Sequence, residues 1–306
     1  MTLARDAVLW VADHRWLREH LPRYRFVRRS VRRFMPGETL EDAIAAATRL
    51  RERGLPTMFT ALGENVTELS DARRVVANYR DAYDRAADAG LDTEFSVKPS
   101  HLGLDLDPEA ALANLEELAT KAAERDNWLW LDMESADYVD GTLDLYRKLR
   151  AGRPNVGVCL QAYLKRTADD VDSLMPLDPT IRLVKGAYRE PRELVFGSRE
   201  VIDEAFRRLA LLILARKGPV GRLALGTHDV GLVRQIEADA EGHEGFEVHM
   251  LFGIRQADLL RLRSEGYAAR SLISYGTHWY PWFMRRIAEK PVENTLLALR
   301  NLVARG

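Results

Sequence analysis

A chain of 306 residues carrying 45 basic and 46 acidic side chains has a formal net charge of −1, which gives no support to a nucleic-acid binder. The single cysteine, Cys159, excludes an intrachain disulfide, and no Cys/His spacing suggests a zinc module. No apolar run reaches the roughly 18 residues that a membrane helix needs, and the N-terminus lacks a signal-peptide pattern, so the cytoplasm is the expected compartment.

In chain order, the first fifty residues read as helical. Thr39 is a candidate N-cap with Asp42 three residues on, and Leu40, Ile44, Ala47 and Leu50 follow at helical spacing. Eight short β-rich runs then alternate with amphipathic helical stretches: residues 57–60, 94–98, 128–132, 156–161, 181–185, 223–227, 246–250 and 270–274. Thr67 and Thr167 are candidate starts of two intervening helices. Repeated βα units without a linker or compositional break predict a (β/α)8 TIM-type barrel over residues 54–306, preceded by an N-terminal helical extension over 1–53. Neither a G-x-G-x-x-G fingerprint nor a Walker loop is present, so any nucleotide is held by other means.

In such a barrel the carboxyl ends of the strands build the active site. Reading each strand to its end yields Lys98, Asp132, Gln161, Lys185, Thr227 with His228, and Tyr275. Singly, each has an ordinary structural explanation: Lys98 and Asp132 as an ion pair, His228 as a satisfied structural histidine, Gln161 bonded to a neighbouring backbone group. After the last strand, Arg285, Arg286 and Glu289 share one helix, with Arg285 and Glu289 one turn apart, a spacing that also suits a solvated ion pair. A guanidinium fork suits a carboxylate, so the two arginines with Lys98 form a clamp for a small acid, and Asp132 is expected to orient Lys98 and offset the positive charge.

The segments EFSVKPS, LDME, LQAYLKRT, RLVKGAY, THD, HMLFGIR and SYGTHWYPWFMRRIAEKP, in this order from about Arg33 onward, resemble proline dehydrogenase. RLVKGAY and the terminal YG…W…FMRRxxE pattern are the most specific. The resemblance implies a distorted (β/α)8 barrel that binds FAD non-covalently at the strand ends and converts L-proline to Δ1-pyrroline-5-carboxylate. It implies that Lys98, Arg285 and Arg286 take the substrate carboxylate, that Tyr275 and Leu251 pack against the ring, and that Glu289 pairs with the arginines. Asp132 and Arg182 are implied as catalytic. Met133, Gln161, Arg182, Lys185, Gly186, Ala187, Thr227 and His228 are implied as FAD contacts.

A hydride passing from proline C5 to flavin N5 leaves negative charge on the flavin, which a fixed cation such as Arg182 stabilises. No dedicated base stands out for the ring nitrogen, so solvent is expected to take its proton. Tyr275 is expected to favour proline over hydroxyproline. Arg189 departs from the aromatic residue of large bifunctional relatives, and the chain has no room for their extra modules, so the likeness is to the short monofunctional bacterial form.

The resemblance further implies a quinone acceptor and peripheral membrane contact, and leaves open a partnership with pyrroline-5-carboxylate dehydrogenase. Arg23, Arg25, Arg28, Arg29, Arg32 and Arg33, next to Leu21, Phe26, Val27, Val31 and Phe34, form a candidate lipid surface or a solvated basic helix. Two rival readings share the barrel: a flavoprotein such as methylenetetrahydrofolate reductase, and a barrel that binds a small acid without chemistry.

Overall fold

The computed structural model of the chain describes His20 and residues 31–289. Eight parallel strands close into a barrel in chain order: β1 (Thr57–Ala61), β2 (Thr93–Val97), β3 (Leu129–Leu131), β4 (Val156–Gln161), β5 (Ile181–Val184), β6 (Leu223–Gly226), β7 (Glu247–Leu251) and β8 (Ala268–Tyr275). All eight expected strands are present. Among the described residues the helices are α1 (Leu40–Arg51), α2 (Leu69–Asp88), α3 (Pro108–Glu124), α4 (Val139–Arg150), α5 (Thr167–Leu174), α6 (Arg199–Arg216), α7 (Val230–Asp239), α8 (Gln256–Ser264) and α9 (Trp279–Glu289).

Local chemistry accounts for most of these boundaries. The Thr39 hydroxyl accepts from the Asp42 amide at 3.2 Å while the Asp42 carboxylate accepts from the Thr39 amide at 3.1 Å, closing the expected capping box of α1. Two other expected starts move. Glu68, not Thr67, precedes α2. Thr167 is the first residue of α5, and its hydroxyl donates to the Gln161 carbonyl at 2.6 Å, which ties the helix start to the end of β4.

The main core lies between strands and helices. In α2, Ala72, Val75, Val76, Tyr79, Ala82, Tyr83 and Ala86 recur at helical spacing and are buried against the sheet. Tyr83 packs 3.9 Å from Phe95 between ring centroids, and Phe59 lies edge-on to Phe95 at 5.7 Å, so Phe59 and Phe95 face outward. Side chains alternate along a strand, so Met58, Glu94 and Ser96 face the barrel interior. That interior departs from the branched aliphatic filling usual for barrels. It holds the apolar trio Met58, Trp130 and Ala224, with Arg182 above and Arg222 below, each guanidinium 5.4 Å from the Trp130 ring.

The last helix gives the barrel its distortion. Trp279, Tyr280, Trp282, Phe283 and Ile287 leave the main core and form a second one with Val31, Phe34, Met35 and Leu62. Leu62 directly follows β1, and Leu251 and Ile254 from the end of β7 pack on the same cluster. α9 therefore sits over the mouth of the barrel, which brings its arginines to the rim.

Candidate active site

Two of the cations expected at the rim, Lys98 and Arg285, meet there, and an acid absent from the expected set joins them. Glu64, in the loop after β1, accepts from Arg285 Nη1 and Nη2 at 3.3 and 3.4 Å and lies 3.8 Å from Lys98 Nζ. Arg285 also stacks on the Tyr188 ring, 4.8 Å from its centroid. Burial disfavours the Arg285 charge, but Tyr188 and Glu64 outweigh it and hold the guanidinium above its ordinary value. Arg286 lies 6.0 Å from the Trp282 centroid. Glu289 closes α9, and its side chain lies outside the described residues, as do Arg23, Arg25, Arg28 and Arg29.

Lys98 follows β2 directly and is held by the turn beyond it. Glu134, almost wholly buried, accepts from the Ser100 amide at 3.0 Å and from the Ser100 hydroxyl at 2.6 Å, pinning the 3-10 turn Pro99–Leu102. Burial raises the pKa of this carboxyl, while Lys98 and Ser100 pull it down. His101 in the same turn is kept neutral, its pKa lowered to about 4 by burial, Lys98 and His278.

Asp132 does not pair with Lys98 as expected. It accepts from Arg182 Nη2 and from the Ser96 hydroxyl, the latter at 2.7 Å. The reason lies in the alternation of β5, which turns the long Arg182 side chain into the barrel, where it reaches Asp132 at the end of β3. Arg182 also donates to Ser96 Oγ at 3.0 Å and approaches Met58 Sδ at 2.7 Å. Burial opposes its charge, and Asp132, together with Cys159 and Glu94, more than restores it.

On the β4 to β6 side, Gln161 is buried with its Oε1 lacking any protein partner. Lys185 is ion-paired with Asp203 of α6 and, at 3.2 Å, with Asp229. Thr227 Oγ1 accepts from the Asp229 amide at 3.1 Å, and the His228 carbonyl accepts from Arg255 at 3.1 Å. Gly186 has φ +114°, and a Cβ there would lie 2.2 Å from the Tyr163 ring, so only glycine fits. Met133 is buried next to Asp132, and Ala187 separates Gly186 from Tyr188. Glu190 accepts from the Ala136 amide at 2.9 Å and from Tyr163 at 3.2 Å, fastening the loop after β5 to the loop after β3.

Tyr275 is not brought to this group. Its ring packs edge-on against outward-facing Phe59, 6.1 Å between centroids, within the layer that joins β1 and β2 to α2. Leu251 does reach the rim, against the α9 cluster. Glu64, Ser96 and Tyr188 were missed from the sequence, although Tyr188 stands inside RLVKGAY and Glu64 lies just past the end of a strand whose rim was not read.

The mouth thus combines a cationic cluster on the β1, β2 and α9 side with a polar shelf on the β4 to β6 side, joined by Arg182 with Asp132 and by Tyr188. Residues 43–295 match the proline dehydrogenase family model. Proline dehydrogenase 1 of Bacillus subtilis (strain 168) is 33% identical over 305 residues, covering 98% of this chain and 99% of that protein. Proline dehydrogenase of Deinococcus radiodurans is 35% identical over 298 residues, covering 94% of each. Among solved structures, proline utilization A (PutA) from Bdellovibrio bacteriovorus, inactivated by N-propargylglycine, superposes with a TM-score of 0.79 over 94% of this chain at 20% identity, a likeness of fold. A PutA mutant from Bradyrhizobium japonicum superposes at 0.73 over 89% of this chain with 26% identity. The chain spans 36% and 32% of those two larger structures. With its fold, its rim and near full-length relatives in agreement, this chain belongs to the proline dehydrogenase family and is an enzyme of that class.

Proposed function

We propose that this enzyme oxidises L-proline to Δ1-pyrroline-5-carboxylate with FAD as the acceptor of the C5 hydride. The observation that carries the reading is the convergence of Lys98 and Arg285 on the carboxylate of Glu64. Set against Glu64 and the buried Glu134, the three cations Lys98, Arg285 and Arg286 leave net positive charge for the carboxylate of a small amino acid. Leu251 offers the neighbouring apolar surface for the ring.

The polar shelf fits a flavin. The unpartnered buried Oε1 of Gln161 is an acceptor suited to a ring N–H, and Gly186 lets the Tyr163 ring pack closely against the loop that carries the neighbouring contacts. Met133, Gln161, Arg182, Lys185, Gly186, Ala187, Thr227 and His228 are the proposed contacts. When bound, FAD supplies the two-electron acceptor. Arg182, held by Asp132, sets a positive charge beside that acceptor before the reaction starts, which is the preorganised arrangement that lowers a barrier. The ring-nitrogen proton passes to solvent.

Electrons then pass to a quinone, which would bring the enzyme to the inner face of the cell membrane from the cytoplasm. Among the described residues no helix is long and apolar enough to cross a membrane. Arg32 and Arg33, the described end of the basic run, are exposed. The product is a substrate for a pyrroline-5-carboxylate dehydrogenase.

Adding proline to the purified protein without oxygen should bleach the visible flavin band. A colourless protein that cannot be reconstituted with FAD and gives no proline-dependent dye reduction overturns the reading.

A further inference from the structure

Below the mouth, the barrel interior holds an indole that neither the carboxylate cluster nor the polar shelf accounts for. Trp130 lies in β3, one inward position beneath Asp132, and is fully buried. Its Nε1–H donates to Glu94 Oε2 at 2.6 Å. Glu94 accepts in turn from Arg222 at 2.8 Å and lies 3.2 Å from Arg270. The register partner of Trp130 on β4 is Gly157, where a Cβ would stand 2.6 Å from Trp130 Cε3. One hydrogen bond and one absent side chain therefore set the position and rotation of the ring.

Two guanidinium groups approach it. Arg222 is paired with Glu94, with Glu247 at 2.7 Å and with the Trp128 ring at 4.3 Å, while its Nη1 is buried without a hydrogen-bond partner. Around Arg182, Nη2 serves Asp132 and Ser96, the buried Cys159 thiol adds a sulfur contact, and Nη1 reaches the thioether of Met58, a weak acceptor. The negative face of an aromatic ring stabilises a desolvated cation most where hydrogen-bond acceptors are scarce. We infer that Trp130 is a positioning residue for Arg182: its indole face holds the guanidinium at a fixed height under the flavin, so the potential of the bound flavin depends on that face. The inference rests on the proposed flavin contact of Arg182. A ring that merely filled the barrel would leave the potential unchanged when another group of suitable bulk replaced it.

Trp130→Phe keeps an aromatic face and leaves Glu94 its two arginines, whereas Trp130→Leu removes the face. In Trp130→Leu the two-electron potential of bound FAD falls, and the limiting rate of reduction by proline drops by about three- to tenfold with KM unchanged. Trp130→Phe stays close to the parent enzyme. An unchanged potential in the leucine variant, an equal fall in both variants, or a rise in KM in place of the rate loss overturns the inference. If the leucine variant does not fold, the parent enzyme and Trp130→Phe are each labelled with tryptophans of increasing fluorine number. A potential that falls stepwise in the parent and not in Trp130→Phe supports the role; the same response in both, or none, overturns it. The proposed function is tested separately, because a parent protein that binds no flavin defeats that reading first. A proline-reducible flavoprotein whose potential ignores Trp130 defeats this one alone.

Discussion

Glu64 and Arg285 join the beginning and the end of the barrel across its mouth: the carboxylate after β1 accepts from both terminal nitrogens of a guanidinium on α9, at 3.3 and 3.4 Å. The contact explains how the last helix, packed on its own hydrophobic cluster, delivers an arginine to the rim at a defined angle. It also holds the charge of Arg285 at the rim, where the proposed clamp would divide it between Glu64 and a substrate carboxylate.

Replacing Arg285 by methionine keeps the length and apolar stem of the side chain and deletes the fork. Proline binding should weaken by about 2 to 5 kcal/mol, as for the loss of one partner of a desolvated charge pair. FAD content should stay at the parent level. Titration of the oxidised enzyme with proline measures the affinity, and a variant that binds proline normally removes Arg285 from the clamp.

Arg182→Met tests the flavin side. The rate of flavin reduction should fall while proline affinity changes little, because Arg182 is bonded to Asp132, Ser96 and Met58 and stands apart from Glu64 and Lys98. Rapid-mixing measurement of the reductive half-reaction separates the two, and a normal rate would remove the electrostatic role of Arg182.

Gly186→Ala should be costly from two directions. The backbone at φ +114° is unfavourable for any side chain, of order 1 kcal/mol, and the added methyl meets the Tyr163 ring. Tm and FAD stoichiometry should both fall, and an alanine variant with parent values of both would show that the loop yields freely.

His101 predicts a pH effect on stability. Its proton is held less tightly in the folded protein, with a pKa of about 4 against 6.5 in the unfolded chain, so the unfolded state binds more protons in between. Stability contributed at this site is complete above 6.5 and is lost as pH falls toward 4, by an amount on the order of 3 kcal/mol. Denaturant titrations of the parent and of His101→Gln across that window should converge as pH falls; parallel curves would show that the histidine titrates alike in both states.

Tyr275 is expected from the sequence to select against hydroxyproline, and its outward packing against Phe59 removes the physical basis for that expectation. Tyr275→Phe should leave the ratio of proline to hydroxyproline turnover unchanged, and a shifted ratio would return Tyr275 to the substrate site.

What the sequence by itself determined is the part governed by local chemistry. Alternating β-rich and helical periods, the Thr39–Asp42 capping box and the polar residues at strand ends are each contained in a few neighbouring residues, and they yielded eight strands and a rim bearing Lys98, Asp132, Gln161 and Lys185. The tertiary structure alone decided which of those groups meet. Asp132 goes to Arg182, not Lys98, because the closed barrel brings β3 and β5 across one interior. Glu64 finds Arg285, 221 positions away, because α9 folds over the mouth. Tyr275 was misplaced by the finest margin: along a strand each successive side chain changes face, so a single position separates the pocket from the outer core, and no local signal records that parity at the last residue of a strand.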